Sequence, residues 1–281
     1  MQRYITSARV QSPSSINMFK QCPRRYYYSY IKKYPTLPSI HLIRGNIAHS
    51  VLEDFFDETF DLKNWYLCFH KKVIELLDKH WDKKSKELSE LKLQEGELMN
   101  YYQDTKNMLL NWANHFQKRF EKELLKTRDL DVTFQNLIPI RERKYESEKY
   151  SVRGFVDVIE EKDGIIKITD YKTSKRARIT EDYKLQLAIY SLMYLEEHGK
   201  IPHKASVFFL KYNDIEIEVN QELIDFAKVE IEMIHLKTKS QEKSDYPKNP
   251  GPLCKWRTGQ CDFYERCFKK TGFSQDSGYY S

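Results

Sequence analysis

Gly154-Phe155-Val156-Asp157, followed thirteen residues beyond its last member by Asp170-Tyr171-Lys172-Thr173, is the stretch on which the fold turns. The first half sits within, and the second at the end of, a short run rich in β-branched residues, Val152 to Ile159 and Ile165 to Thr169, with Lys162-Asp163-Gly164 between them. Strand, turn and strand in that order predict a hairpin. Such a hairpin puts Asp157 within one strand and Asp170 at the end of its neighbour, so two carboxylates converge where the strands meet. Converging carboxylates suit a hard divalent cation, Mg²⁺ or Mn²⁺. Lys172 follows Asp170 by two residues and projects to the same side of the strand, because side chains alternate with period two. Its ammonium is then placed to hold and polarise a water beside the metal. Taken alone, an Asp-x-Lys is more often a surface charge pair.

Working outward, Phe134 to Ile140 reads as a further strand upstream. Downstream, Glu181 to His198 reads as a helix ending at Gly199, and Gln221 to Leu236 as another. Between them lie two strand candidates, Ala205 to Tyr212 and Ile215 to Val219, joined at Asn213-Asp214. Strand, strand, helix, strand with outer helices predicts a mixed α/β core. Residues 64 to 126 are charged, helix-forming and almost free of Gly and Pro, with Gly96 as a break. They predict a helical subdomain that buries Trp65, Val73, Leu76, Leu77, Trp81, Met108, Leu109, Trp112 and Phe116. Further upstream, Ser12-Pro13-Ser14-Ser15 is an N-cap cluster ahead of Ile16, Phe19, Tyr27 and Ile31 at near-helical intervals. A second amphipathic stretch starts near Gly45 and presents Ile47, Val51, Leu52, Phe55 and Phe56 on one face.

Composition excludes several classes. With 281 residues, 40% hydrophobic and 31% charged, and only nine glycines and nine prolines, the chain is neither collagen-like nor low-complexity nor wholly disordered. No run approaches 18 apolar residues, and Met1 to Ile5 lacks an apolar signal core. An intracellular, cytoplasmic protein with no membrane partner is expected. Residues 1–52 carry eight basic side chains, Arg3 among them, and no Asp or Glu, within a chain whose net charge is +6. Arg24, Arg25, Lys32 and Lys33 offer cations for phosphates, and the interleaved Tyr26, Tyr27, Tyr28, Tyr30 and Tyr34 offer ring faces for bases. The competing reading is a tyrosine-rich helix packed on the core.

Two i, i+4 pairs complete the pattern. Gln186 and Tyr190 share one face of the helix after the hairpin, and His49 and Glu53 share a face of the helix opened by Arg44-Gly45-Asn46-Ile47-Ala48-His49. The order G-x-x-x-H, G-x-x-D, D-Y-K-T, Q-x-x-x-Y across residues 45 to 190 resembles the RecB-type branch of the PD-(D/E)xK nuclease superfamily. The resemblance implies a restriction-endonuclease-like α/β fold and metal-dependent hydrolysis of DNA. It implies His49, Asp157, Asp170 and the backbone carbonyl of Tyr171 as metal ligands, with Lys172 as the catalytic lysine. Gln186 and Tyr190 match the helix residues that support the site or touch DNA. A further acid ahead of G-x-x-D is either Glu142 or Glu146, and Glu53 is a candidate partner of His49. Single-stranded DNA is the expected substrate, attacked from an end. A partner helicase or CRISPR-adaptation protein must be a separate chain, since no G-x-x-x-x-G-K-[ST] phosphate loop occurs.

Five cysteines, an odd number, argue against a disulfide framework. Cys68 lies in a helical pattern and reads as a small buried hydrophobe. Cys22, Cys254, Cys261 and Cys267 could hold zinc or a 4Fe–4S cluster, and chemistry alone slightly favours zinc. Iron–sulfur members of the RecB-type group, AddB-like helicase–nucleases and CRISPR-adaptation nucleases, carry a lone Cys-Pro near the start and a cysteine triplet after the nuclease core. Cys22-Pro23 and Cys254, Cys261 and Cys267 resemble that arrangement and imply the 4Fe–4S cluster. The departure is at Cys254 and Cys261, which are separated by six residues where that group usually has C-x-x-C. The expected organisation is a basic N-terminal segment with the first cluster cysteine (1–45), a helical subdomain (46–130), the nuclease core (131–240) and an iron–sulfur segment with the tail (241–281). The readings weighed against a nuclease are a non-catalytic DNA-binding subunit of a larger nuclease complex and a zinc-stabilised nucleic-acid-binding module.

Overall fold

A computed structural model of the chain describes residues 9–256 and 259–269. Arg3 and the Met1–Ile5 stretch lie outside the described residues. The chain opens with α1 (Pro13–Gln21), whose cap is reciprocal. The Ser12 side chain accepts the Ser15 N–H, and the Ser15 side chain accepts the Ser12 N–H. Pro23 cannot continue that helix, so the segment expected as one helix over 12–34 splits. A short α2 (Pro23–Tyr26) and a π-helical turn (Tyr27–Ile31) follow.

Next come α3 (Ile40–Asp54), α4 (Trp65–Lys83), α5 (Ser85–Glu90), α6 (Glu95–Thr127) and α7 (Leu130–Asn136). Helix α3 starts five residues before Gly45. The break in the long helical block falls at residues 84–94, and Gly96 sits in the first turn of α6. The strand expected over Phe134 to Ile140 is α7 instead. Asp129 caps it by accepting the Val132 N–H, and Phe134 packs its ring against Phe56, Phe60, Phe69 and Phe116. Extended structure begins only after Pro139, with β1 (Ile140–Ser147).

The remaining elements are β2 (Val152–Lys162), β3 (Ile165–Lys172), α8 (Glu181–His198), β4 (Lys204–Phe209), β5 (Asp214–Glu218) and α9 (Gln221–Lys237). A small ribbon, β6 (Lys255–Trp256) with β7 (Gly259–Gln260), and α10 (Tyr264–Phe268) end the described chain. The five long strands form one sheet in the order β1-β2-β3-β4-β5. All neighbours are antiparallel except β3 and β4, which α8 joins as a crossover. The β2–β3 turn uses Asp163 and Gly164 at φ of 52° and 77°. Those are the left-handed conformations that a tight hairpin demands.

One side of the sheet is buried under α1, α2, α8 and α9 in a core containing Ile16, Phe19, Tyr26, Tyr27 and Tyr28. The other side packs on α3, α4 and α6. At the centre of that second core, the Phe55 ring lies 4.9–5.3 Å from those of Phe56, Phe60, Trp112 and Phe116. Phe55→Ala leaves a cavity there and is expected to cost about 3–5 kcal/mol in urea unfolding. A loss under about 1 kcal/mol would mean that this core relaxes to fill the void.

Candidate functional site

The β2–β3 ladder ends at the pair Val158–Thr169, one step short of Asp157 and Asp170. Beyond it a side chain replaces the backbone partner, and Asp157 Oδ2 accepts the Tyr171 N–H at 2.7 Å. Across β1 the same residue falls opposite Glu142, between the paired Arg141–Val158 and Arg143–Val156. Glu142 has φ of 42°, a left-handed conformation costing a non-glycine residue of order 1–3 kcal/mol. One left-handed residue thus lies where three strands bring acids together.

Helix α3 supplies the imidazole. His49 Nε2 lies 3.1 Å from the Tyr171 carbonyl, and Nδ1 is 3.5 Å from Asp157 Oδ2 and 3.9 Å from Glu142 Oε1. Ligand atoms of His49, Glu142 and Asp157 all fall within 4.8 Å of one another. Tyr171 is pinned from its far side, where its hydroxyl accepts the Trp112 Nε1–H at 3.1 Å. Asp170, 2% exposed, accepts from Gln186 Nε2 at Oδ1 (2.8 Å) and meets Lys172 Nζ at Oδ2 (2.7 Å). The same Gln186 nitrogen donates to the Tyr190 hydroxyl at 2.8 Å, so the expected i, i+4 pair of α8 acts as one bracket on Asp170. Lys172 also stands 5.5 Å from the centre of the Tyr183 ring, a neighbour that the motif did not announce.

Charge in this pocket is strongly coupled. Burial opposes a proton on His49, but the facing carboxylates of Asp157 and Glu142 outweigh it and push the pKa up to about 10. Burial pushes Asp170 up to about 6, with Asp157 adding to the rise and Lys172 opposing it. Burial works against the Lys172 ammonium, yet Asp170 raises its pKa overall. The clustered His49, Glu142 and Asp157 offer one imidazole and two carboxylates, a donor set of the kind that could hold Mg²⁺ or Mn²⁺, with Asp170 and the Tyr171 carbonyl beside it.

The two candidate acids lie in different surroundings. Glu146 pairs with Lys144 at 2.5 Å, away from the cluster, whereas Glu142 faces His49. Glu53 makes no hydrogen bond to His49 among the described residues. Its carboxyl is raised by burial and by Glu142 and Asp54.

The N-terminal cations have partners. Arg24 Nε donates to the Tyr246 carbonyl at 2.6 Å, Arg25 reaches Asp262 at 3.3 Å, and Lys32 stands 5.5 Å from the Tyr27 ring. Lys33 is exposed. Tyr26, Tyr27 and Tyr28 are buried, so these rings serve packing, and the stacking role expected of them is corrected. Cys22, Cys254, Cys261 and Cys267 line a single pocket with Arg25, Lys248 and Phe263. All four are free thiols. Burial raises the Cys267 thiol, and the nearby Cys22 and Cys261 add to the rise. Cys68 is apart from them on α4, its Sγ 3.7 Å from the Trp65 carbonyl.

A cavity of about 870 Å³ lies between α6 and the sheet and includes none of His49, Asp157, Asp170 or Lys172. Its cations are largely closed in ion pairs, Arg119 with Glu160 and Lys167 with Asp214 and Glu216.

The family model of the PD-(D/E)XK nuclease superfamily matches residues 11–268. A curated relative, the CRISPR-associated exonuclease Cas4 of Francisella tularensis subsp. novicida (strain U112), is 27% identical over 174 residues, covering 59% of this chain and 85% of the relative. Among solved structures, a candidate exonuclease from Eubacterium rectale aligns at 15% identity with a TM-score of 0.49, covering 94% of this chain and 90% of that one.

Proposed function

The chain belongs to the PD-(D/E)XK nuclease superfamily, and from that premise we propose that it is a divalent-metal-dependent deoxyribonuclease, an exonuclease of single-stranded DNA. The observation that carries the proposal is the convergence of His49, Glu142 and Asp157 beside the buried Asp170–Lys172 pair. His49, Glu142, Asp157, Asp170 and the Tyr171 carbonyl are the groups that would hold Mg²⁺ or Mn²⁺. Such an ion, when bound, neutralises phosphate charge and lowers the pKa of a coordinated water.

The chain's own residues do the rest. Gln186 and Tyr190 hold Asp170 in one orientation. Asp170 in turn fixes the Lys172 ammonium, which orients the attacking water and stabilises charge growing on the phosphate. Asp157, by accepting the Tyr171 amide, sets the direction of the adjacent carbonyl. Asp157, Asp170 and Tyr190 are at most 8% exposed, so a lone strand reaches them more readily than a duplex. The exonuclease relative supports attack from an end, and its CRISPR association favours a CRISPR-adaptation partner over a helicase.

End-labelled single- and double-stranded DNA, incubated with Mg²⁺ or Mn²⁺ and resolved over time, tests this. Metal-dependent shortening from the end, faster on the single strand, is expected. Absence of cleavage with either metal would overturn the proposal.

Two further assignments go with it. The four-cysteine pocket fits a structural 4Fe–4S cluster, with Arg25 and Lys248 beside the thiolates. Lys32 and Lys33, both exposed, are the N-terminal cations best placed to follow a DNA backbone. Their replacement by alanine should flatten the salt dependence of binding by roughly one unit of slope for each phosphate left unneutralised. Replacing Arg24 and Arg25 should instead loosen the cysteine-bearing segment, because their hydrogen bonds go to Tyr246 and Asp262. Equal salt slopes for wild type and Lys32→Ala/Lys33→Ala would remove both lysines from the DNA path.

A further inference from the structure

We infer that Phe155 is a stacking platform for an unpaired nucleobase of the strand being cut, an assignment that rests on the nuclease reading above. Its ring is 56% exposed, more than any other aromatic side chain among the described residues. Exposure alone would mean little, since single apolar residues are common on surfaces. Position makes the difference.

Phe155 lies inside β2, between the buried Gly154 and Val156, and two residues before Asp157. Gly154 turns toward α8, where an added Cβ would meet Tyr190 at 3.1 Å and Met193 at 3.2 Å. Alternation sends Phe155 and Arg153 to the opposite face. Asp157 directs its carboxylate to His49, which α3 brings from the side of the sheet away from α8. The ring and the His49-facing carboxylate of Asp157 therefore share a face, their backbone positions roughly 7 Å apart along the strand. A nucleotide next to the one whose phosphate enters the site would meet the ring.

The surroundings fit a base better than a protein. Lys144 pairs with Phe155 across β1, Glu146 and Arg153 pair one step further along, and all three are exposed. The apolar patch is one ring wide within a charged border, whereas a protein interface needs a contiguous apolar centre. Basic side chains beside an open ring, here Arg153 and a Lys144 that shares its charge with Glu146, are the elements by which single strands are held without sequence preference, phosphates on the cations and base on the ring. The ring has no aromatic or cation–π partner among the described residues.

Cleavage of a single-stranded oligonucleotide in Mn²⁺ tests this with the full chain and its Phe155→Ala, Phe155→Leu and Phe155→Trp variants, on intact DNA and on a strand made abasic throughout its cleaved end. Stacking predicts that KM rises about tenfold for alanine and leucine on intact DNA, is kept by tryptophan, and that kcat changes little. On the abasic strand, wild type and Phe155→Ala should have the same KM. A Phe155→Ala KM within about twofold of wild type on intact DNA would overturn the assignment. So would an equal loss on intact and abasic strands, which would give Phe155 a role independent of bases. Wild-type protein that cuts neither strand would sink the nuclease reading itself, a result distinct from active wild type with an indifferent Phe155.

Discussion

Lys172→Ala and Asp170→Asn are each expected to slow DNA cleavage by roughly a thousandfold or more, without preventing DNA binding. Lys172, Asp170 and Gln186 form one chain of contacts at 2.7–2.8 Å with Asp170 at its centre, so loss of Asp170 or Lys172 disorients what remains. Groups that act as a unit give non-additive losses, and the Asp170→Asn/Lys172→Ala double variant should be scarcely slower than either single one. Gln186→Ala removes one hydrogen bond and should cost less, about tenfold at most, since Lys172 still restrains Asp170. Independent, multiplying losses would show that the pair does not work as one device. A Lys172→Ala protein cutting at the wild-type rate would remove the lysine from the chemistry altogether.

The second large effect concerns stability. Cys22 and Cys254 are 232 residues apart, so a metal centre shared by the four thiols closes a loop around the nuclease core. Restraining so long a loop in the unfolded chain is worth about 5 kcal/mol by the chain-closure estimate for one cross-link. Metal binding free energy then becomes folding free energy. Anaerobically purified protein should be brown and hold about four irons per chain. Cys22→Ala, Cys261→Ala and Cys267→Ala should each bleach it and lower Tm steeply, while Cys68→Ala does neither. A colourless protein with one zinc would reject iron and keep the staple. Colour retained in Cys254→Ala would remove that residue from the ligand set.

Much of this arrangement was legible because its signals are local. The β2–β3 hairpin follows from Lys162-Asp163-Gly164 between β-branched runs, and α8 ends at Gly199, which takes φ of 67°. Gln186 and Tyr190 meet as helical spacing requires. What was not legible depends on distant parts of the chain. Glu142 and Glu146 are four residues apart on one strand, and only the approach of α3 with His49 distinguishes them. Phe134 has strand propensity but belongs to α7, because Asp129 caps a turn there and an aromatic cluster buries the ring. Tyr26, Tyr27 and Tyr28 look like a stacking surface beside basic residues, yet Tyr246 and Phe263 from the far end of the chain cover them.

The central claim is that His49, Glu142, Asp157 and Asp170 form the hydrolytic metal site. It is tested most directly by the rate of single-stranded DNA cleavage as a function of Mn²⁺ concentration, in wild type and in Glu142→Gln. The account predicts no cleavage in EDTA, saturable activation by Mn²⁺, and half-saturation shifted at least about tenfold higher in Glu142→Gln. Cleavage that persists in EDTA, or a half-saturation unmoved by Glu142→Gln, would contradict it.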